Sequence, residues 1–158
     1  MKLLWYILLV APAVAQQSEL ATGRDFYRAG EFKTAVAHFQ LALNANPKDA
    51  ASNYWMGRSY ETLADISTPF GRKYRSLART YLTTAAELAP NRPEYRRDLF
   101  DFLLDANQQR QASGILRAAD ESDPDYAYML SRLEQTRKVN SSINGRVCSV
   151  FRVLTAVP

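Results

Sequence analysis

Few side chains in this sequence are suited to covalent or metal chemistry. His38 is the sole histidine and Cys148 the sole cysteine. A thiol or hydroxyl nucleophile needs a base within hydrogen-bond reach, and no histidine lies near Cys148 in sequence, so a hydrolase has no nucleophile–base pair to draw on. Zinc needs several nitrogen or sulfur ligands at close spacing, which one histidine and one cysteine cannot supply. His38 therefore reads as a surface or packing residue beside Phe39. Gly71-Arg72-Lys73 lacks the preceding glycine and strand of a phosphate-binding loop. The acidic run Asp120, Glu121, Asp123 and Asp125 resembles a cation site at first sight. Its last two members stand where a helix begins, and aspartate there caps the free N–H groups and suits the helix dipole. Asn140-Ser141-Ser142 has the form of a glycosylation acceptor and reads as coincidence. The expectation is a protein with no catalytic residues, no cofactor and no metal.

Function must then lie on surfaces, and the elements that present them come next. The 158 residues allow one compact domain or a short repeat array. Alanine and leucine are common, six glycines and seven prolines are few, and alternation of apolar with polar residues is rare. That composition favours helix. With a single cysteine no internal disulfide can form, so packing alone must hold the fold. The first fifteen residues stand apart. Lys2 is followed by the apolar run Leu3 to Ala11, then Pro12 and the small residues Ala13-Val14-Ala15, and Gln16-Gln17-Ser18 opens a polar chain. This is the layout of a secretory signal cleaved after Ala15, which implies export to the periplasm or beyond. The alternative is an uncleaved membrane anchor, although the apolar run falls well short of the ~20 residues a spanning helix needs. Without Lys2 the charge balance is 19 basic against 16 acidic residues, too small an excess to point to a partner.

Three prolines reveal the internal order. Pro47, Pro90 and Pro124 each lie twelve residues after an alanine: Ala35, Ala78 and Ala112. Four residues beyond each alanine stands a large apolar residue (Phe39, Leu82, Leu116), and three further on a small one (Ala42, Ala85, Ala119). Pro90 and Pro124 are 34 residues apart, as are Gly23 and Gly57, whereas Pro47 and Pro90 are 43 apart, nine more. Phe26 and Tyr60 follow the two glycines at equal distance. A period of 34 marks the tetratricopeptide repeat (TPR), and the stretch Gly30-Glu31-Phe32, Ala35-Val36, Phe39, Ala42-Leu43 and Pro47 closely resembles the second half of a TPR motif. The resemblance covers about residues 16 to 124.

It implies an all-α, TPR-type α-solenoid of three helix-turn-helix repeats plus a C-terminal capping helix. The repeats span about 16–49, 50–92 and 93–124 and the cap 125–138, making a TPR domain over 16–138 after the 1–15 signal. In each repeat, helices A and B approach closely at small residues, Gly23 and Gly57 on A and Ala35, Ala78 and Ala112 on B. Large neighbours fill the space around them: Phe26, Phe32 and Phe39, then Met56, Tyr60 and Leu82. One repeat cannot bury its apolar face alone, so stacking makes the core. The third repeat departs from the pattern, with Phe100 at the glycine position and Asn107 at that of Gly30. Phe100 should push the helices apart or turn toward the next element. Tyr95, Leu99, Phe102 and Leu103 still keep helical spacing. In the cap, Tyr126, Met129, Leu130 and Leu133 form one stripe. Residues 139–158 fit no repeat and are expected as a flexible tail, a short strand or a segment pairing with a partner's sheet edge.

The resemblance also implies where a partner would dock. In TPR proteins the A helices line a concave face that commonly receives a peptide or a helix. Carried across, that face holds Leu20, Arg24 and Tyr27, then Tyr54, Arg58 and Glu61, then Glu94, Arg97 and Asp101. Aromatics with arginines are the residue types that dominate interface energetics. The chaperone-type clamp for a chain-terminal carboxylate is not expected, since its positions hold Leu20, Arg24, Trp55, Glu94 and Asp98. The extra nine residues fall around Asp65 to Gly71. There Thr68-Pro69 reads as an N-cap followed by proline at the first helical position, with helix B running from about Pro69 to Leu88. Arg72, Arg75 and Arg79, with Lys73, make a basic stripe on it that reads first as a solvated face and second as a patch for an acidic protein or a lipid surface. The partner expected is thus a protein or peptide rather than nucleic acid or membrane. The leading reading is an exported, non-enzymatic adaptor; the alternative is a membrane-tethered structural component of a cell-envelope assembly.

Overall fold

The computed structural model describes residues 17–154 except Thr68, with side chains as far as Ser142. The expected signal segment, the Thr68 cap and the Cys148 side chain lie outside those limits. Seven helices follow one another among the described residues, with no strand. They are α1 (17–28), α2 (Phe32–Ala45), α3 (Ala50–Ile66), α4 (Gly71–Leu88), α5 (Pro93–Asp105), α6 (Gln109–Ala118) and α7 (Tyr126–Leu154). They gather into two compact units, one ending at Phe102 and the other beginning at Leu103.

In the first unit the repeat positions do what their sizes dictate. Ala35, Phe39 and Ala42 on α2, and Ala78, Leu82 and Ala85 on α4, are all fully buried. A Cβ on Gly23 would lie 2.5 Å from the Phe39 ring, and one on Gly57 would lie 2.7 Å from Leu82 Cγ and 3.0 Å from its backbone nitrogen. The missing side chain on each A helix is thus the space taken by the large residue on its B helix. Around Phe39 the core gathers Ala35, Leu43 and Met56, with Leu20, Phe26, Tyr27, Val36, Trp55, Tyr60 and Tyr81 packed against it.

The turns have identifiable causes. Gly30 takes a φ of 81°, and the Glu31 N–H bonds Phe26 O while the Gly30 N–H bonds Tyr27 O. That pair of hydrogen bonds marks a left-handed helix stop. Asn107 does the same after α5, with a φ of 58° and with Gln108 and Asn107 donating to Leu103 O and Leu104 O. Asparagine tolerates this conformation better than other residues with a Cβ, so the replacement of glycine leaves the turn unchanged. Helices α2 and α4 end two residues before Pro47 and Pro90. At the start of α3, the Asp49 carboxylate accepts the Ser52 N–H at 2.8 Å.

Several expectations need correction. Helix α4 begins at Gly71, not Pro69, with Phe70 at its head and no side-chain cap. The Phe70 N–H bonds Ser67 O, placing Pro69 inside a turn. Gly71 is buried so close to α3 that a Cβ would stand 2.9 Å from Ala64 O. Phe100 is fully buried and its neighbours Leu99, Phe102, Leu103 and Leu104 are buried as well, so the apolar face of α5 is wider than one stripe. Residues 139–154 are helical, because α7 continues to Leu154. Proline is absent from that stretch, and Asn144 and Gly145 each cost a helix only about 1 kcal/mol or less.

In the second unit α7 packs on α6. Met129 and Leu133 are buried, whereas Leu130, placed by spacing on the same stripe, is 39% exposed. The acidic run before α7 builds turns: Asp120 accepts the Ser122 N–H and Asp123 accepts the Asp125 N–H. The bond to Ser122 holds the Asp120 carboxyl below the usual range. Among the described residues no group of three or more His, Cys, Asp or Glu is placed to hold a metal ion, and no helix is long and apolar enough to cross a membrane.

Candidate partner-binding face

The A helices α1, α3 and α5 lie side by side in the first unit, and one row of aromatic rings joins them. Trp55 on α3 is its centre. The Tyr27 ring of α1 meets it edge-on at 5.2 Å, Tyr54 meets it edge-on at 5.4 Å, and Phe39 lies beneath it at 6.5 Å. Tyr54 in turn stacks on Tyr95 of α5, with centroids 4.5 Å apart. Aromatic pairs in such geometries contribute about 0.5–1.5 kcal/mol each beyond buried area, so each ring of the row is held by its neighbours. Its members other than Tyr95 and Phe39 remain half-exposed.

Polar groups cross the same seam. The Tyr54 hydroxyl donates to Asp98 Oδ2 at 2.6 Å, and Arg58 stands 4.0 Å from that oxygen and 2.8 Å from Glu61. Burial, then the bond to Asp98, pushes the Tyr54 hydroxyl far above the ordinary tyrosine range. For Arg58, burial alone would weaken its hold on the proton, but Glu61 and the neighbouring Tyr54 outweigh it and raise the guanidinium above its usual value. Tyr27 also reaches α3, its hydroxyl 3.5 Å from Thr62.

Arg24 is placed differently. Its guanidinium carbon lies 5.2 Å above the Trp55 ring. Such contacts contribute about 0.5–2 kcal/mol. Its Nε is buried without a hydrogen-bond partner, an arrangement that costs about 1–3 kcal/mol when unrelieved.

Of the nine positions carried over from the TPR resemblance, six meet in this region. Leu20 packs against the apolar core, Arg24 and Tyr27 join α1 to α3, Tyr54 and Arg58 reach from α3 to α5, and Glu61 pairs with Arg58 within α3. The α5 members contribute less directly: Glu94 pairs with Arg92 at 3.1 Å, Arg97 lies 3.6 Å from its own neighbour Asp98, and Asp101 is half-buried. The residues that carry α5 onto α3 are Tyr95 and Asp98, and the ring that organises the face is Trp55. None of the three was among the nine. Tyr95 and Asp98, spaced i and i+3, share a helix face.

His38 is a packing residue, stacked on Phe26 at 5.1 Å and bonded to Glu19 at 2.7 Å. The basic stripe of α4 is partly neutralised. Arg72 and Lys73 are exposed, Arg75 pairs with Asp65 at 3.5 Å, and Arg79 is half-buried. Beside that corner an open recess of ≈ 350 Å³ is lined by Gly30 to Thr34 with Leu63, Ile66 and Ser67.

No family model matches the chain, and no curated protein does. Solved structures do. The Yersinia enterocolitica type III secretion translocator chaperone SycD superposes with a TM-score of 0.64, covering 82% of this chain and 88% of that one at 15% identity. The fold is TPR-like. A second structure, SycD in complex with a peptide of the translocator YopD, gives a TM-score of 0.58 over 81% of this chain and 93% of that one, at 13% identity. At such identities the likeness is one of fold, and it leaves the residues of the face to be judged on their own chemistry.

Proposed function

We propose that this protein is a non-enzymatic interaction module, exported as an adaptor, which docks a peptide or helix of a partner protein along α1, α3 and α5. The observation that carries the reading is the half-exposed aromatic row from Tyr27 through Trp55 to Tyr54, flanked by Arg24 and Arg58. Large rigid side chains lose little entropy on binding, and tyrosine, tryptophan and arginine are the commonest interface anchors. That a protein of the same fold was captured with a translocator peptide supports a peptide-sized occupant. Export rests on residues 1–15. An intact mass beginning at Gln16 supports a free adaptor, and retention of Lys2 to Ala15 supports the tethered envelope component instead.

The test is a crosslinked pull-down from the native cell. The wild-type protein should recover one or a few partners, and Arg24→Glu with Arg58→Glu should cut that recovery about tenfold or more while the helical circular-dichroism spectrum persists. Equal recovery by the folded double variant would count against this face.

A further inference from the structure

The charges of the A-helix face are matched with one exception. Arg58 is held by Glu61 and Asp98, Asp98 also by the Tyr54 hydroxyl, and Glu94 by Arg92. Arg24, among the described residues, is the cation of this face with neither an ion pair nor a hydrogen bond, and its Nε is buried without a partner. Its guanidinium nevertheless has a fixed seat. Trp55, on which it lies, is clamped by Tyr27, Tyr54 and Phe39. A planar cation stacked on an aromatic ring presents its remaining N–H groups edge-outward in the fork that matches a carboxylate. Because the fork is already ordered, a ligand that meets it does not have to immobilise it.

We infer that Arg24 is the receiving point for an aspartate or glutamate side chain of the docked segment, an inference that rests on the docking reading of this face. The charge count argues for a single carboxylate over a dianion such as a phosphorylated residue. Only one cation of the face is uncommitted, while Glu61, Glu94 and Asp98 already have partners of their own. A phosphate would need a second free cation, and Arg58 is already engaged by its own acids. The segment's acid would sit on Arg24 and its neighbouring apolar groups on the Tyr27–Trp55–Tyr54 row.

The probe is a display library of random short peptides panned on the full-length protein. Selected sequences are remade with amidated C-termini and measured by fluorescence anisotropy. Selected peptides should share an internal Asp or Glu. Changing that acid to its amide should weaken binding about tenfold or more on the wild-type protein, leaving the protein untouched and its folding unaffected. On Arg24→Gln the same change should make almost no difference, and Arg24→Lys should fall between, since it keeps the charge and loses the fork. Peptides that bind without an acid, or an acid-to-amide effect equal on wild type and Arg24→Gln, would overturn the inference and leave the docking reading standing. Binding that needs a free C-terminus would also overturn it, by moving the carboxylate to the chain end. If no peptide is selected, or if binding survives Tyr54→Ala and Trp55→Ala, both the inference and the docking reading fall.

Discussion

Phe39→Ala should lower the free energy of unfolding by about 3–5 kcal/mol, the range for emptying a buried phenylalanine site. For a protein of this size that is a large part of the ~5–15 kcal/mol available, so the urea midpoint should drop sharply. The Phe39 ring is fully buried and occupies the space that Gly23 leaves open, at 2.5 Å from where a Cβ would be. It also supports Trp55 from beneath. The loss should therefore appear twice: in the denaturation curve, and in weaker partner binding under conditions where the variant remains folded. A shift below about 1 kcal/mol would mean that the α1–α2 contact is not the keystone described here.

Gly57→Val is expected to destabilise by about 1–3 kcal/mol, as over-packing of a close helix contact does. The sign is the informative part. On an isolated helix, replacing glycine by valine is mildly favourable, so a loss can arise only from the tertiary contact. A Cβ there meets Leu82 Cγ at 2.7 Å and the Leu82 backbone nitrogen at 3.0 Å. The backbone nitrogen cannot move aside as a side-chain tip would. In a double-mutant cycle with Leu82→Ala, the cost of the valine should shrink, because part of the clash is gone. Additive costs would place Gly57 elsewhere than in the α3–α4 seam.

The parts of this fold that could be read ahead of the structure were those governed by side-chain size at fixed spacing. Ala35, Phe39 and Ala42, repeated at Ala78, Leu82 and Ala85, encode helix packing directly, and all six are fully buried. Asn107 was legible only in part. Its departure from glycine looked like a broken repeat, yet the backbone conformation is the same, because asparagine shares glycine's tolerance for it. The start of α4 was misread for a related reason. Thr68-Pro69 is a good local helix signal, but the helix begins only at Gly71, which packs against Ala64 O of α3, a tertiary contact that local signals do not carry. The length of α7 was missed because Asn144-Gly145 suggested a turn, and two weak helix formers do not stop a helix. The face was legible as a set of helices and only partly as a set of residues. The contacts that cross from α3 to α5 are made by Tyr95 and Asp98, and spacing within α5 alone does not say which of its side chains meet α3.

Hydrogen exchange on the protein alone and in complex with a recovered partner reads the docking face itself. Added protection should concentrate in α1, α3 and the part of α5 around Tyr95 to Asp98, with α2 and α4 changed little. Protection confined to α4, to the Asp65–Gly71 corner or to α7, with the A helices exchanging as before, would contradict it.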